Sequence, residues 1–160
     1  MTSPTLHRRG LLLGAAAFVA SAALPMAARA RSGPAIHVLK DPNCGCCTAW
    51  VRILEEEGFS VTTELARGTV LIRAKMDAGI PQQMASCHTA MVEGYAVEGH
   101  VPVADIRRLL DERPDAVGLA VPGMPYGSPG MGPESRREAY DVHLIRKDGS
   151  TEVFTSYEAA

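Results

Sequence analysis

Four cysteines in two short segments carry most of the chemistry that this 160-residue sequence offers: Cys44-Gly45-Cys46-Cys47, and Cys87 within Ser86-Cys87-His88-Thr89. A cysteine acts as nucleophile or metal ligand through its thiolate, so its setting decides what it can do. Asp41-Pro42-Asn43 interrupts an apolar run, and the first three cysteines open the helical pattern that follows. There, backbone N–H groups and the positive end of the helix dipole lower thiol pKa values. Cys44 and Cys47 have the C-x-x-C spacing of a thioredoxin-type redox pair.

Several uses of these sulfurs compete. Two structural disulfides suit an exported protein, and four cysteines allow three pairings, though adjacent Cys46 and Cys47 make closure awkward. A structural zinc site normally draws on two separated C-x-x-C knuckles, of which this chain has one. In a thiol:disulfide oxidoreductase using Cys44 and Cys47, the extra Cys46 invites mispairing. Closely packed thiolates also suit Cu(I), a soft ion that sulfur can bridge. Further candidate ligands are His88, beside Cys87, and the thioethers Met124 and Met131 in a loop dense in Gly and Pro. His100 is expected to be a loop residue, and His37 and His143 to be structural or surface groups on strands.

The elements that must position these groups follow from periodicity. Residues 36–39 read as a buried strand, followed by a helix over 45–57 with Cys47, Trp50, Val51 and Leu54 as its buried stripe and Gly58 as its stop. Residues 59–65 alternate as a second strand, and a second helix over 69–78 carries Ile72 and Met76 on one face and ends at Gly79. Thr89–Val92 and Tyr95–Glu98, joined by Glu93-Gly94, read as a hairpin. Pro102 opens a helix with Val103, Ile106, Leu109 and Leu110 inward, Pro114 ends it, and residues 117–121 form a short strand. After the loop over 122–133, Lys147-Asp148-Gly149-Ser150 joins strands at 140–146 and 151–157. Strand, helix, strand, helix, hairpin, helix is the order of a thioredoxin-like or glutaredoxin-like α/β unit, a mixed sheet with flanking helices, here with an added C-terminal β-hairpin. In that topology the residues just before the first hairpin strand face the C-x-x-C loop, usually through a cis-proline. Cys87 and His88 fall at this place.

The first thirty residues have a different character. His7, Arg8 and Arg9 precede an uncharged run over Leu11–Leu24, too short to span a bilayer comfortably, and Ala28-Arg29-Ala30 fits the small-residue rule for signal-peptide cleavage. Residues 1–30 are therefore expected to be a cleaved export signal, by the Sec route or, given Arg8-Arg9, the twin-arginine route. Residues 31–35 then form a linker and 36–160 a single metal-binding domain. Cleavage removes three arginines and no acid, leaving 13 basic against 18 acidic residues, a net charge of −5. Such a surface argues against nucleic acid as partner, because phosphate binding needs concentrated Lys and Arg. No stable membrane insertion is expected after cleavage.

Longer motifs carry a resemblance. Lys40-Asp41-Pro42-Asn43-Cys44-Gly45-Cys46-Cys47 with Trp50, Ser86-Cys87-His88-Thr89-Ala90, Gly94-Tyr95, Glu98-Gly99-His100-Val101-Pro102, Leu119-Ala120-Val121-Pro122-Gly123-Met124-Pro125 and Gly127-Ser128-Pro129-Gly130-Met131 occur in that order. Together they resemble the periplasmic copper-resistance CopG family across nearly the whole mature chain. The resemblance implies a thioredoxin-like fold and a multinuclear copper cluster bridged by Cys44, Cys46, Cys47 and Cys87. It also implies copper ions, and other periplasmic copper carriers, as partners. The expectation is thus a periplasmic Cu(I)-binding protein of copper resistance, with a thiol:disulfide oxidoreductase as the alternative.

Overall fold

A computed structural model of the chain describes residues 33–160. The leader expected over residues 1–30 and the first two residues of the linker lie outside the described residues. No described helix is long and apolar enough to cross a membrane.

The chain forms β1 (Ala35–Lys40), α1 (Gly45–Glu56), β2 (Ser60–Leu65), α2 (Thr69–Asp77), β3 (His88–Val92), β4 (Tyr95–Glu98), α3 (Val103–Glu112), β5 (Ala116–Ala120), β6 (Tyr140–Arg146) and β7 (Thr151–Tyr157). Single 3-10 turns lie at Gln82–Met84 and Glu134–Arg136. The seven strands of the described residues share one mixed sheet in the order β2-β1-β3-β4-β5-β6-β7. Parallel neighbours need a crossover, and α1 supplies it between β1 and β2, as α3 does between β4 and β5. The remaining pairs are antiparallel, and a two-residue turn links β3 to β4 with φ positive at both Glu93 and Gly94. The element order expected from periodicity is the order found, and β1 starts at Ala35, one residue inside the expected linker.

Side chains alternate along the strands, and each sheet face has its own core. Val97, Leu119 and Leu144 are neighbours across β4, β5 and β6, and they pack with Trp50 and Leu54 of α1 and Ile106 and Leu109 of α3. Ala96, Ala120 and Ile145 point the other way, into a smaller cluster with Ile80 and Met84 from the segment after α2. The stripe expected on α1 is the one buried: Cys47, Trp50, Val51 and Leu54. α2 differs, because Ile72 and Met76 are exposed and the buried residue of this helix is Lys75.

Candidate metal centre

β1 delivers the chain to a break at Asp41, whose carboxylate accepts from the Asn43 N–H at 2.8 Å, and α1 begins directly afterwards. Cys44 is the N-cap of α1, its sulfur accepting from the Cys47 N–H at 3.3 Å. Cys46 and Cys47 occupy the first turn, and Cys47 is buried. On the other side of the site, Ser86 and Cys87 lead into β3, which pairs with β1 so that His88 lies opposite Lys40. No cis peptide occurs among the described residues, so Ser86-Cys87 reaches the site through trans bonds.

This arrangement brings the four sulfurs of Cys44, Cys46, Cys47 and Cys87 within 4.8 Å of one another. Cys44 and Cys47 are joined as a disulfide, and Cys46 and Cys87 are free thiols. The Cys46 sulfur lies 3.4 Å from that of Cys44. The lowering of thiol pKa values expected at the helix terminus does not describe all of these sulfurs. Two are covalently paired, and Cys87, off the helix, has its thiol pushed up to about 11, chiefly by burial and then by the Cys46 charge, with the Ser86 hydroxyl opposing. A metal ion binding at Cys87 must therefore displace a proton.

Imidazoles surround Cys87. Its sulfur is 3.3 Å from His88 Nδ1 and 3.1 Å from His100 Nε2, and Cys87, His88 and His100 form a second group whose donor atoms lie within 4.8 Å of each other. His88 is fully buried over Trp50, with ring centroids 4.4 Å apart, and meets His100 edge-on at 5.1 Å. Burial holds His88 well below its usual pKa, helped by the His100 and Lys75 charges and opposed by the Gly99 carbonyl. Burial also lowers His100, against the pull of the Pro129 carbonyl. His88 is thus no solvated residue at the strand start, and His100, in the loop after β4 as expected, is a buried part of the site.

The hairpin register held the signal for His100. Pairing of Val92 with Tyr95 and Thr89 with Glu98 runs on through the bond from the Gly99 N–H to the His88 carbonyl, which leaves Cys87 facing His100. Gly99 sits between them at φ +73°, where a Cβ would stand 2.5 Å from the Ser86 hydroxyl.

A buried ionic cluster backs the Cys87 segment. The fully buried Glu98 carboxylate accepts from Lys75 Nζ, the Ser86 N–H and the Thr89 hydroxyl, each at 2.6 Å. Lys75 also donates to Thr89 Oγ1 at 3.1 Å. Three donors satisfy the charge and pin Ser86, one residue from Cys87. Sequence periodicity gave no sign of this cluster, whose members come from α2, β3 and β4.

The Gly- and Pro-rich loop covers the opposite side. The Ser86 hydroxyl donates to the Gly123 carbonyl, and His100 Nδ1–H donates to the Pro129 carbonyl at 2.7 Å. Gly130, at φ +85°, approaches α1 so closely that a Cβ would lie 2.8 Å from the Trp50 nitrogen and 2.9 Å from the Cys46 oxygen. Met131 is half-buried in this loop, whereas Met124 is 54% exposed. His37 bridges Thr62 and Glu64 at the exposed β1–β2 surface, and His143 lies half-buried on β6.

Comparison with known proteins matches this arrangement to a named group. Two solved structures described as copper resistance protein CopG, form 2 and form 1, are 47% and 46% identical to this chain, with TM-scores of 0.71 and 0.73. Each alignment covers 78% of this chain and 98% of the other. The chain belongs to the CopG copper-resistance family. Residues 84–131 also match a family described as a protein of unknown function, DUF411. That span runs from the segment before Cys87 to Met131, so it contains the CopG hairpin, His100 and the covering loop but not the Cys44–Cys47 turn. No curated protein matches the chain.

Proposed function

We propose that this chain is a periplasmic Cu(I)-binding protein of copper resistance, built on a thioredoxin-like domain. Its thiolates Cys44, Cys46, Cys47 and Cys87 hold a multinuclear copper cluster. The observation that carries this reading is the convergence of four sulfurs, three from one helix terminus and one from the segment leading into a distant strand, within 4.8 Å. Sulfur donors that close can each touch two soft ions, and Cu(I) accepts such low-coordinate, all-sulfur surroundings. The disulfide between Cys44 and Cys47 then represents the copper-free, oxidised state, and its reduction supplies two of the four ligands. His88, Met124 and Met131 are secondary ligand candidates, His88 through its approach to Cys87. The cluster would be handed to other periplasmic carriers after export by the leader over residues 1–30.

A direct test is to purify the reduced protein without oxygen, load it with Cu(I), and count bound copper and free thiols against a strong chelator. More than one copper per chain, with four thiols protected, is expected; fewer than one retained removes the reading.

A second reading rests on a specific observation as well: Cys44 and Cys47 form a C-x-x-C disulfide at a helix N-terminus, as a thiol:disulfide oxidoreductase requires. Turnover of a disulfide substrate that survives Cys46→Ser and Cys87→Ser, without copper retention, would favour that enzyme.

A further inference from the structure

The two edges of the sheet, β2 and β7, are finished differently. Along β7 the ladder with β6 shifts register between Val142 and His143, and Arg108 donates to the Phe154 carbonyl at 3.2 Å and to the Thr155 hydroxyl at 3.3 Å. Just past the strand, Arg137 donates to the Glu158 carbonyl at 2.8 Å. A bulge and charged side chains of this kind keep a further strand from pairing. β2 has none of these devices. Its residues Ser60–Leu65 include no proline, lysine or arginine, its register with β1 is unbroken, and all but the half-buried Val61 are exposed.

The open side of β2 is a row of unpaired backbone groups. The Ser60 N–H donates to the Pro34 carbonyl at 3.1 Å and the Ala66 N–H to the Lys40 carbonyl at 3.0 Å, so alternate residues Ser60, Thr62 and Glu64 spend their backbone groups on β1. The N–H and C=O of Val61, Thr63 and Leu65 therefore point away from the sheet, and none has a partner among the described residues. We propose that this edge is a homodimer interface, in which β2 pairs antiparallel with β2 of a second copy about a two-fold axis at Thr63.

The strand is self-complementary in that register. Thr63 meets the partner's Thr63, Val61 meets the partner's Leu65 and Leu65 the partner's Val61, so every outward N–H and C=O finds a ladder bond. An axis one residue away, at Thr62 or at Glu64, keeps fewer of these pairs. The side chains agree with the choice. Leu65, 61% exposed, is covered across the axis by the partner's Val61. On the other face Glu64, the sole charged residue of β2, stands opposite the partner's Thr62, so like charges never face each other. His37 already reaches Thr62 through Nδ1 at 3.1 Å and Glu64 through Nε2 at 3.2 Å, and thus sets an imidazole beside each Thr62–Glu64 pair. Because β1 and β2 are parallel, the axis sends the two Cys44–Cys47 turns, which follow β1, to opposite ends of the joined sheet. Both cysteine clusters stay open, and the dimer forms whatever their redox state or metal content.

Sedimentation equilibrium of the purified protein measures the association, and amide exchange followed by NMR locates it. A monomer–dimer equilibrium with a Kd on the order of micromolar is expected, in keeping with a small interface. Exchange at the Val61, Thr63 and Leu65 amides slows as concentration rises. Thr63→Pro removes an N–H that the single chain leaves unused, and it weakens dimerisation by about tenfold or more. Thr63→Lys, which sets two ammonium groups against each other at the axis, serves where the proline variant unfolds, and the same loss is expected. A protein that stays monomeric up to millimolar concentration, a dimer unaffected by both Thr63 variants, or an assembly larger than a dimer overturns the proposal. Failure of the four-thiol copper test would leave this interface standing, and a monomer would leave the copper reading standing.

Discussion

α1 and α2 occupy similar places in the chain, each leaving a parallel strand, but they attach to the sheet by different physics. α1 buries an apolar stripe of Val51, Leu54 and the fully buried Trp50, whose indole N–H donates to the Val101 carbonyl at 2.9 Å. That packing fixes the helix end that carries three cysteines. α2 exposes Val70, Ile72 and Met76, leaves Leu71 half-buried, and buries Lys75, whose ammonium meets Glu98 beside the fourth cysteine. The comparison teaches that the two halves of the candidate metal centre are held by different forces, dispersion and hydrophobic burial on the α1 side, and a buried charge network on the Cys87 side.

Substitutions can break or sharpen that contrast. Trp50→Ala should cost about 3–5 kcal/mol in denaturant unfolding, the loss expected for an aromatic removed from a packed core. A cost below about 1 kcal/mol would show that α1 is not anchored through this ring. Lys75→Met should also cost about 3–5 kcal/mol by stranding the Glu98 carboxylate. The double change Lys75→Met with Glu98→Gln should recover much of that loss, and a double change that simply adds the two single costs would contradict the coupling. Gly130→Val is expected to cost about 1–3 kcal/mol, because its side chain must displace backbone at Trp50 and Cys46. It should weaken copper loading as well, since the covering loop also holds His100; unchanged loading would separate the loop from the site. Ile72→Ala or Met76→Ala, on the exposed face of α2, should stay within about 0.5 kcal/mol, and a larger loss would mean that this face is buried in solution.

The same contrast explains what was legible in the sequence. Strong local periods fixed the buried stripe of α1 and both hairpins, because burial there depends on each residue's own face of its element. Ile72 and Met76 of α2 follow a helical period just as well, but both are exposed, and periodicity does not show which helix face finds a partner. The convergence of Cys87 on the other cysteines followed from topology. His100 could have been placed by extending the hairpin register past Glu98, but its loop position and the glycine before it masked the ladder. The Lys75–Glu98 cluster was invisible because its members are far apart in sequence and each looks like an ordinary surface charge.

The central claim, four sulfurs sharing soft metal, is tested most directly by copper X-ray absorption on the reduced, anaerobically loaded protein. The account predicts a Cu(I) edge with a sulfur first shell and a short copper–copper distance, both diminished in Cys87→Ser. A first shell dominated by nitrogen or oxygen, or a sulfur shell unaltered by removing Cys87, would contradict it.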